Sequence, residues 1–207
     1  MSATQPTKPS NWNLPNALTT LRILMVPFFG FAMLVDDGQS LLWRAVAWAL
    51  FVAAMVTDKV DGDIARSRNL ITNFGKIADP IADKALTGMA FVALSVIGEL
   101  WWWVTVLVLV REWGITLLRF WVIRHGVIAA SSGGKLKTVL QTVALGLFVL
   151  PLRLLENQPW HTVGLVLWWA AVALMAAAVT VTLLTGVDYV VKALAVRRAG
   201  RARVRTR

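Results

Sequence analysis

The sequence predicts an all-α, polytopic membrane protein with six transmembrane helices. Three observations predict it. Hydrophobic residues make up 57% of the 207 residues and charged residues only 15%, where a soluble domain carries about 25% charged. Several apolar stretches reach the roughly 20 residues that a helix needs to cross a bilayer. The basic residues gather in alternate connections, the pattern that orients membrane helices.

The spans follow in order. A polar, interfacial segment over 1–16 ends at Pro15-Asn16, and the first span runs over about 17–35. The next four cover about 41–66, 75–97, 101–123 and 137–155, and the last covers about 162–191. They form one membrane domain, 17–191, followed by a basic tail, 192–207. The connections at Asp36-Asp37-Gly38-Gln39 and Gly98-Glu99 hold no Lys or Arg, and the one after the fifth span holds Arg153 alone. Arg66, Arg68 and Lys76 follow the second span, and Arg124, Lys135 and Lys137 follow the fourth. With the basic tail, this bias places both termini in the cytosol. Trp101, Trp102 and Trp103 open the fourth span as an interfacial aromatic belt.

Charge and cysteine usage narrow the function. The net charge is +10, and Lys192, Arg197, Arg198, Arg201, Arg203, Arg205 and Arg207 crowd the tail. Beside a membrane helix, such a tail is expected against anionic lipid headgroups rather than on nucleic acid. Cysteine is absent, which excludes disulfides, thiolate catalysis and Cys-ligated zinc. The first dozen residues do not read as a signal peptide, so the first helix is expected to stay as an anchor. His125 and His161 read as loop or interface residues.

Of the eleven Asp and Glu residues, Asp58, Asp61, Asp63, Asp79 and Asp83 fall in one short run at the ends of two apolar spans. An ionised Asp in a bilayer costs about 2.5–3.5 kcal/mol even on the lenient insertion scale. Four of them would cost on the order of 10 kcal/mol by addition, so water or cations must offset them. Asp58 and Asp61 are three residues apart and Asp79 and Asp83 four apart, spacings that share a helix face. Two such helices side by side would converge four carboxylates. An all-oxygen site of this kind suits Mg2+ or Mn2+, and a pair of ions suits phosphoryl chemistry. Gly62 and Gly75 allow a bulky ligand to approach the backbone, Ala65 is small, and Arg66 offers a planar fork for phosphate oxygens. Four membrane carboxylates would also suit a cation transporter, but ion passage does not require Gly62, Ala65 and Arg66.

The run reads Asp58-x2-Asp61-Gly62-x2-Ala65-Arg66-x8-Gly75-x3-Asp79-x3-Asp83. It resembles the signature of the CDP-alcohol phosphotransferase family at all its fixed positions. The resemblance implies a six-helix membrane fold paired as a homodimer. It further implies that Asp58, Asp61, Asp79 and Asp83 bind two Mg2+ or Mn2+ ions. Asp83 would also serve as general base on the acceptor hydroxyl. Asp58, Gly62, Ala65, Arg66 and Gly75 would hold the CDP moiety, at a site facing the cytosol from the cell (inner) membrane. Asp63 lies at a variable position and receives no role beyond that of a solvated neighbour.

The acceptor is read outside the signature. Arg111 and Arg119 are eight residues apart in the fourth span and share a face. Glu112, next to Arg111, is expected to turn away from it. Gly133-Gly134-Lys135-Leu136-Lys137-Thr138 opens the fifth span as an anion site. Arg111, Arg119, Lys135 and Lys137 therefore suggest an acceptor that carries its own phosphate. With Asn13 to Arg22, Pro27-Phe28 and Asp79-Pro80-Ile81-Ala82-Asp83-Lys84, these patches are similar to the branch of the family that uses sn-glycerol 3-phosphate. That branch moves the phosphatidyl group of CDP-diacylglycerol to this acceptor, giving phosphatidylglycerophosphate and CMP. The nearest alternatives are inositol phosphate or phosphatidylglycerol as acceptor.

Overall fold

The computed structural model describes residues 13–68, 70, 72–122, 132–155 and 159–205. Arg124, His125, Arg207 and the side chains of Lys76, Arg119 and residues 196–205 lie outside the described residues. Six α-helices occur among the described residues: α1 (Leu14–Leu34), α2 (Leu41–Ser67), α3 (Asn73–Val96), α4 (Trp102–Val122), α5 (Ser132–Val149) and α6 (His161–Arg205). Short 3-10 turns lie at Val35–Gly38 and Leu152–Leu155, and no strand occurs among the described residues.

Among the described residues, four stretches are long and apolar enough to cross a membrane: Leu14–Gly38, Leu41–Ser67, Gly134–Leu154 and His161–Ala195. They make this a polytopic membrane protein by length and composition. The remaining helices carry too much charge for that criterion. Asp79, Asp83 and Lys84 lie on α3, and Arg111, Glu112 and Arg119 lie on α4. The charges that lower their hydropathy are the ones singled out above for chemistry.

Helix starts follow local rules. Asn13 caps α1 by accepting the Asn16 amide at 2.9 Å, with Pro15 in the first turn. Ser40 caps α2, and Thr72 caps α3 by accepting the Gly75 amide at 3.0 Å. Between α1 and α2 the backbone turns sharply. Asp36, Asp37 and Gly38 all take positive φ, at 55°, 49° and 71°, a region that Asp and Gly enter more readily than other residues.

The chain forms two compact units. The first holds α1–α3 with Val149–Leu154. In it α1 packs along both α2 and α3, whereas α2 and α3 meet each other only over a short stretch. The expected side-by-side pairing of α2 and α3 is therefore replaced by a wedge, with α1 between them. Phe29 of α1 packs on Phe51 of α2 with ring centroids 5.9 Å apart, and Ala47, Ala54 and Leu86 are fully buried nearby in the same core. Arg44 of α2 is also buried. It donates to the carbonyls of Val149 and Leu150, each at 3.1 Å, and to that of Gly38 at 3.4 Å.

The second unit holds α4, α5 through Phe148, and α6. α4 and α6 pack along each other. Val104 and Val108 of α4, Leu145 of α5, and Ala171 and Met175 of α6 are buried. Trp101, Trp102 and Trp103 are all exposed, as a belt requires. α6 spans 45 residues, about 67 Å at the helical rise, or roughly twice a bilayer's apolar core. It runs through position 192 to Arg205, so the basic tail continues the last helix rather than following it as a separate segment.

Candidate active site

A pocket of about 160 Å3 opens in the first unit. Asp61, Gly62, Ala65 and Arg66 of α2 line one side, and Gly75 and Asp79 of α3 line another. α1 supplies the third wall with Pro15, Asn16 and Thr19. The glycines keep the pocket open. A β-carbon at Gly75 would lie 3.1 Å from Asn16 Oδ1 and 3.8 Å from Asp79 Oδ2, and one at Gly62 would lie 3.2 Å from the Arg66 guanidinium. Thr72 joins the walls: its hydroxyl caps α3 and reaches Asn16 Oδ1 at 3.0 Å. Arg66 lines the pocket and pairs with Asp63 at 2.8 Å, with both side chains exposed, so Asp63 is the solvated neighbour of the pocket that the sequence predicts.

The carboxylates are gathered by α1. Arg22 is fully buried, and its guanidinium donates to Asp58 through Nη1 and to Asp61 Oδ2 through Nη2. Asp61 is 4% exposed and Asp58 43%, so one carboxylate is sealed and the other faces outward. Thr19 Oγ1 lies 2.7 Å from Asp79 Oδ1, 3.5 Å from Asp61 Oδ2 and 3.1 Å from the Pro15 carbonyl. A hydroxyl has one proton to give, and the shortest contact takes it to Asp79. Thr19 thus stands between the carboxylates of α2 and α3. Among the described residues, no three His, Asp or Glu side chains form a ready-made metal cluster. Arg22 separates Asp58 from Asp61, and Thr19 separates Asp61 from Asp79. Asp58 and Asp83 do not line the pocket. Asp83 stands one turn beyond Asp79 on α3, half-buried, with its carbonyl accepting from Thr87 at 2.8 Å.

The second unit carries a basic cluster. Glu112 Oε1 accepts from Arg111 Nη1 at 2.9 Å and from Lys137 Nζ of α5. Arg111 Nη2 donates to Thr185 Oγ1 of α6 at 2.8 Å. Glu112 therefore does not turn away from Arg111. Adjacent helical positions diverge at the backbone, but two long side chains curl to a common point, and Lys137 holds the carboxylate there. Lys137 is buried, while Lys135, on the first turns of α5, is exposed. Arg111 and Lys137 are thus brought together, and Lys135 is not part of the cluster.

A sequence profile of the CDP-alcohol phosphatidyltransferase family matches residues 12–184, which takes in the charged residues of both clusters. The chain belongs to this family. Among curated phosphatidyltransferase relatives, one named a probable phosphatidylglycerophosphate synthase, from Mycobacterium tuberculosis (strain CDC 1551 / Oshkosh), is 53% identical over 182 residues, covering 88% of this chain and 82% of the relative. A CDP-diacylglycerol--glycerol-3-phosphate 3-phosphatidyltransferase from Bacillus subtilis (strain 168) is 36% identical over 174 residues, covering 77% and 88%. Another so named, from Escherichia coli (strain K12), is 38% identical over 141 residues, covering 65% and 75%.

Within a phosphatidyltransferase of this kind, the signature marks two walls of the pocket, and α1 supplies a third that the signature does not contain. The N-cap Asn13 and the helix residues Asn16, Thr19 and Arg22 recur every three positions at the start of a mostly apolar helix. That stripe was the available signal for Thr19, whose bridging place the sequence did not single out, and for the deeper role of Arg22.

Proposed function

We propose that this phosphatidyltransferase moves the phosphatidyl group of CDP-diacylglycerol to sn-glycerol 3-phosphate, giving phosphatidylglycerophosphate and CMP. The observation that carries the reading is the pocket in which Asp61, Gly62, Ala65, Arg66, Gly75 and Asp79 face one another. The names of relatives up to 53% identical support the same reaction. Arg111 and Lys137, with Arg119 and Lys135 nearby in sequence, supply cationic donors for the acceptor's phosphate.

The donor set fits hard divalent cations. Asp58, Asp61, Asp79 and Asp83 offer only oxygen, and Asp61 and Asp79 already approach one hydroxyl. These four residues would hold two Mg2+ or Mn2+ ions, which supply charge neutralisation of the pyrophosphate and of the departing CMP. Gly62, Ala65 and Gly75 give the nucleotide room, and Arg66, steadied by Asp63, meets its phosphates. Asp83 takes the proton of the attacking hydroxyl as that oxygen bonds to the lipid-bearing phosphorus and the bond to CMP breaks. α3 and α4 act as the remaining two membrane spans, both termini face the cytosol, and the protein pairs as a homodimer in the cell membrane. A site at the cytosolic edge keeps the acyl chains in lipid and the nucleotide in water.

Incubation of the purified protein with CDP-diacylglycerol and each labelled acceptor tests the reading. Glycerol 3-phosphate is expected to give a phosphorylated lipid and CMP, with inositol phosphate and phosphatidylglycerol giving little. EDTA is expected to abolish the reaction, and Mg2+ or Mn2+ to restore it. No lipid product from glycerol 3-phosphate would overturn the acceptor assignment.

A further inference from the structure

The basic cluster of the second unit has an organiser. We infer that Glu112 is the positioning residue of the acceptor site, holding Arg111 and Lys137 ready for the phosphate of the incoming alcohol. The inference rests on the acceptor reading above.

Three observations support it. First, a single carboxylate oxygen, Glu112 Oε1, serves two cations from two helices. Without it, two neighbouring positive charges in a largely buried setting would repel and separate. Second, Arg111 is fixed at its other terminal nitrogen, Nη2, by Thr185 of α6. The guanidinium is thus held in place before any ligand arrives, and less side-chain entropy is lost on binding. Third, polar atoms without a partner among the described residues lie on the same three helices. Arg111 Nε on α4, Gln141 Oε1 on α5 and Thr182 Oγ1 on α6 are all buried and unpartnered. Gln141 lies four residues beyond Lys137, and Thr182 three before Thr185, so each shares a face with a member of the cluster. Buried polar atoms are nearly always satisfied. A small polyol phosphate offers both the anion for the cations and hydroxyls for Gln141 and Thr182. Arg111 and Lys137 are cations suited to an anion, and Glu112 keeps both partnered when no ligand is bound.

The test is a comparison of KM values for the two substrates in the purified full-length protein with CDP-diacylglycerol in detergent micelles. Glu112→Gln is expected to raise KM for glycerol 3-phosphate at least tenfold and to leave KM for CDP-diacylglycerol within twofold. Glu112→Asp, which keeps the charge, is expected to recover most of that loss. Thr185→Val, which frees only one nitrogen of Arg111, is expected to raise the same KM less, and it serves as the reading should Glu112→Gln fail to fold. An acceptor KM within twofold of wild type in Glu112→Gln overturns the inference. So does an equal rise in both KM values, or no recovery by Glu112→Asp. Failure of the wild type to use glycerol 3-phosphate is a different result, and it removes the functional reading and this inference together.

Discussion

The two units solve one electrostatic problem with opposite signs. In the first, a single buried cation, Arg22, holds two carboxylates, Asp58 and Asp61, and Asp79 joins through Thr19. In the second, a single carboxylate, Glu112, holds two cations, Arg111 and Lys137. In each unit one counter-charge holds like charges together, Arg22 for the acids of the first and Glu112 for the bases of the second. A charge buried in an apolar protein is costly unless matched, so the proposed metal ions and pyrophosphate are assigned to the acids and the proposed acceptor phosphate to the bases.

This contrast can be broken at graded strength. The largest effect is expected from Asp83→Asn, which removes the proposed base. A positioned general base contributes about 10²–10⁴-fold, so CMP release is expected to fall at least a hundredfold. Near-normal turnover in the purified variant would show that Asp83 is not the base. Next is Arg22→Gln, which leaves Asp58 and Asp61 without their counter-charge. Removing one partner of a buried pair costs about 3–5 kcal/mol, so thermal unfolding is expected at a clearly lower temperature. Added Mg2+ is expected to raise that temperature more in the variant than in wild type. An unchanged melting temperature would show that the acids are not balanced by Arg22. The smallest effect is expected from Thr19→Val. Losing the hydroxyl between Asp61 and Asp79 is expected to weaken Mn2+ binding about tenfold, near 1.4 kcal/mol, as measured by titration without substrate. Thr19→Ser should restore it, and equal affinity in all three proteins would reduce Thr19 to a packing residue.

Much of the first site was legible in the sequence because its chemistry imposes spacing. Asp61, Gly62, Ala65, Arg66, Gly75 and Asp79 were named from their intervals and line one pocket. The α1 wall was harder to read. A threonine in an apolar helix commonly bonds the carbonyl four residues back, and Thr19 does approach that of Pro15. Nothing local distinguishes that ordinary contact from a bridge to Asp79 in a helix sixty residues away. The placement of α1 between α2 and α3 was equally hidden, since apolar helices of similar length do not announce their neighbours. In the second unit the residue types were readable but the pairing was not. Backbone geometry sets Glu112 away from Arg111, and only Lys137, brought in by α5, makes their shared oxygen worthwhile. The six expected spans met four clearly apolar helices among the described residues, because the charged side chains of α3 and α4 lower their hydropathy.

Arg44 adds a consequence in time. A chain leaves the ribosome from its N-terminus, and Arg44 emerges 105 residues ahead of the Val149 carbonyl and 106 ahead of that of Leu150. At ordinary translation rates that is an interval of about 5–20 s. During it α1, α2 and α3 can assemble the pocket, but the guanidinium at the opposite end of α2 still lacks most of its acceptors. The unit that comes first in the sequence is therefore finished only after about half of the second has been made.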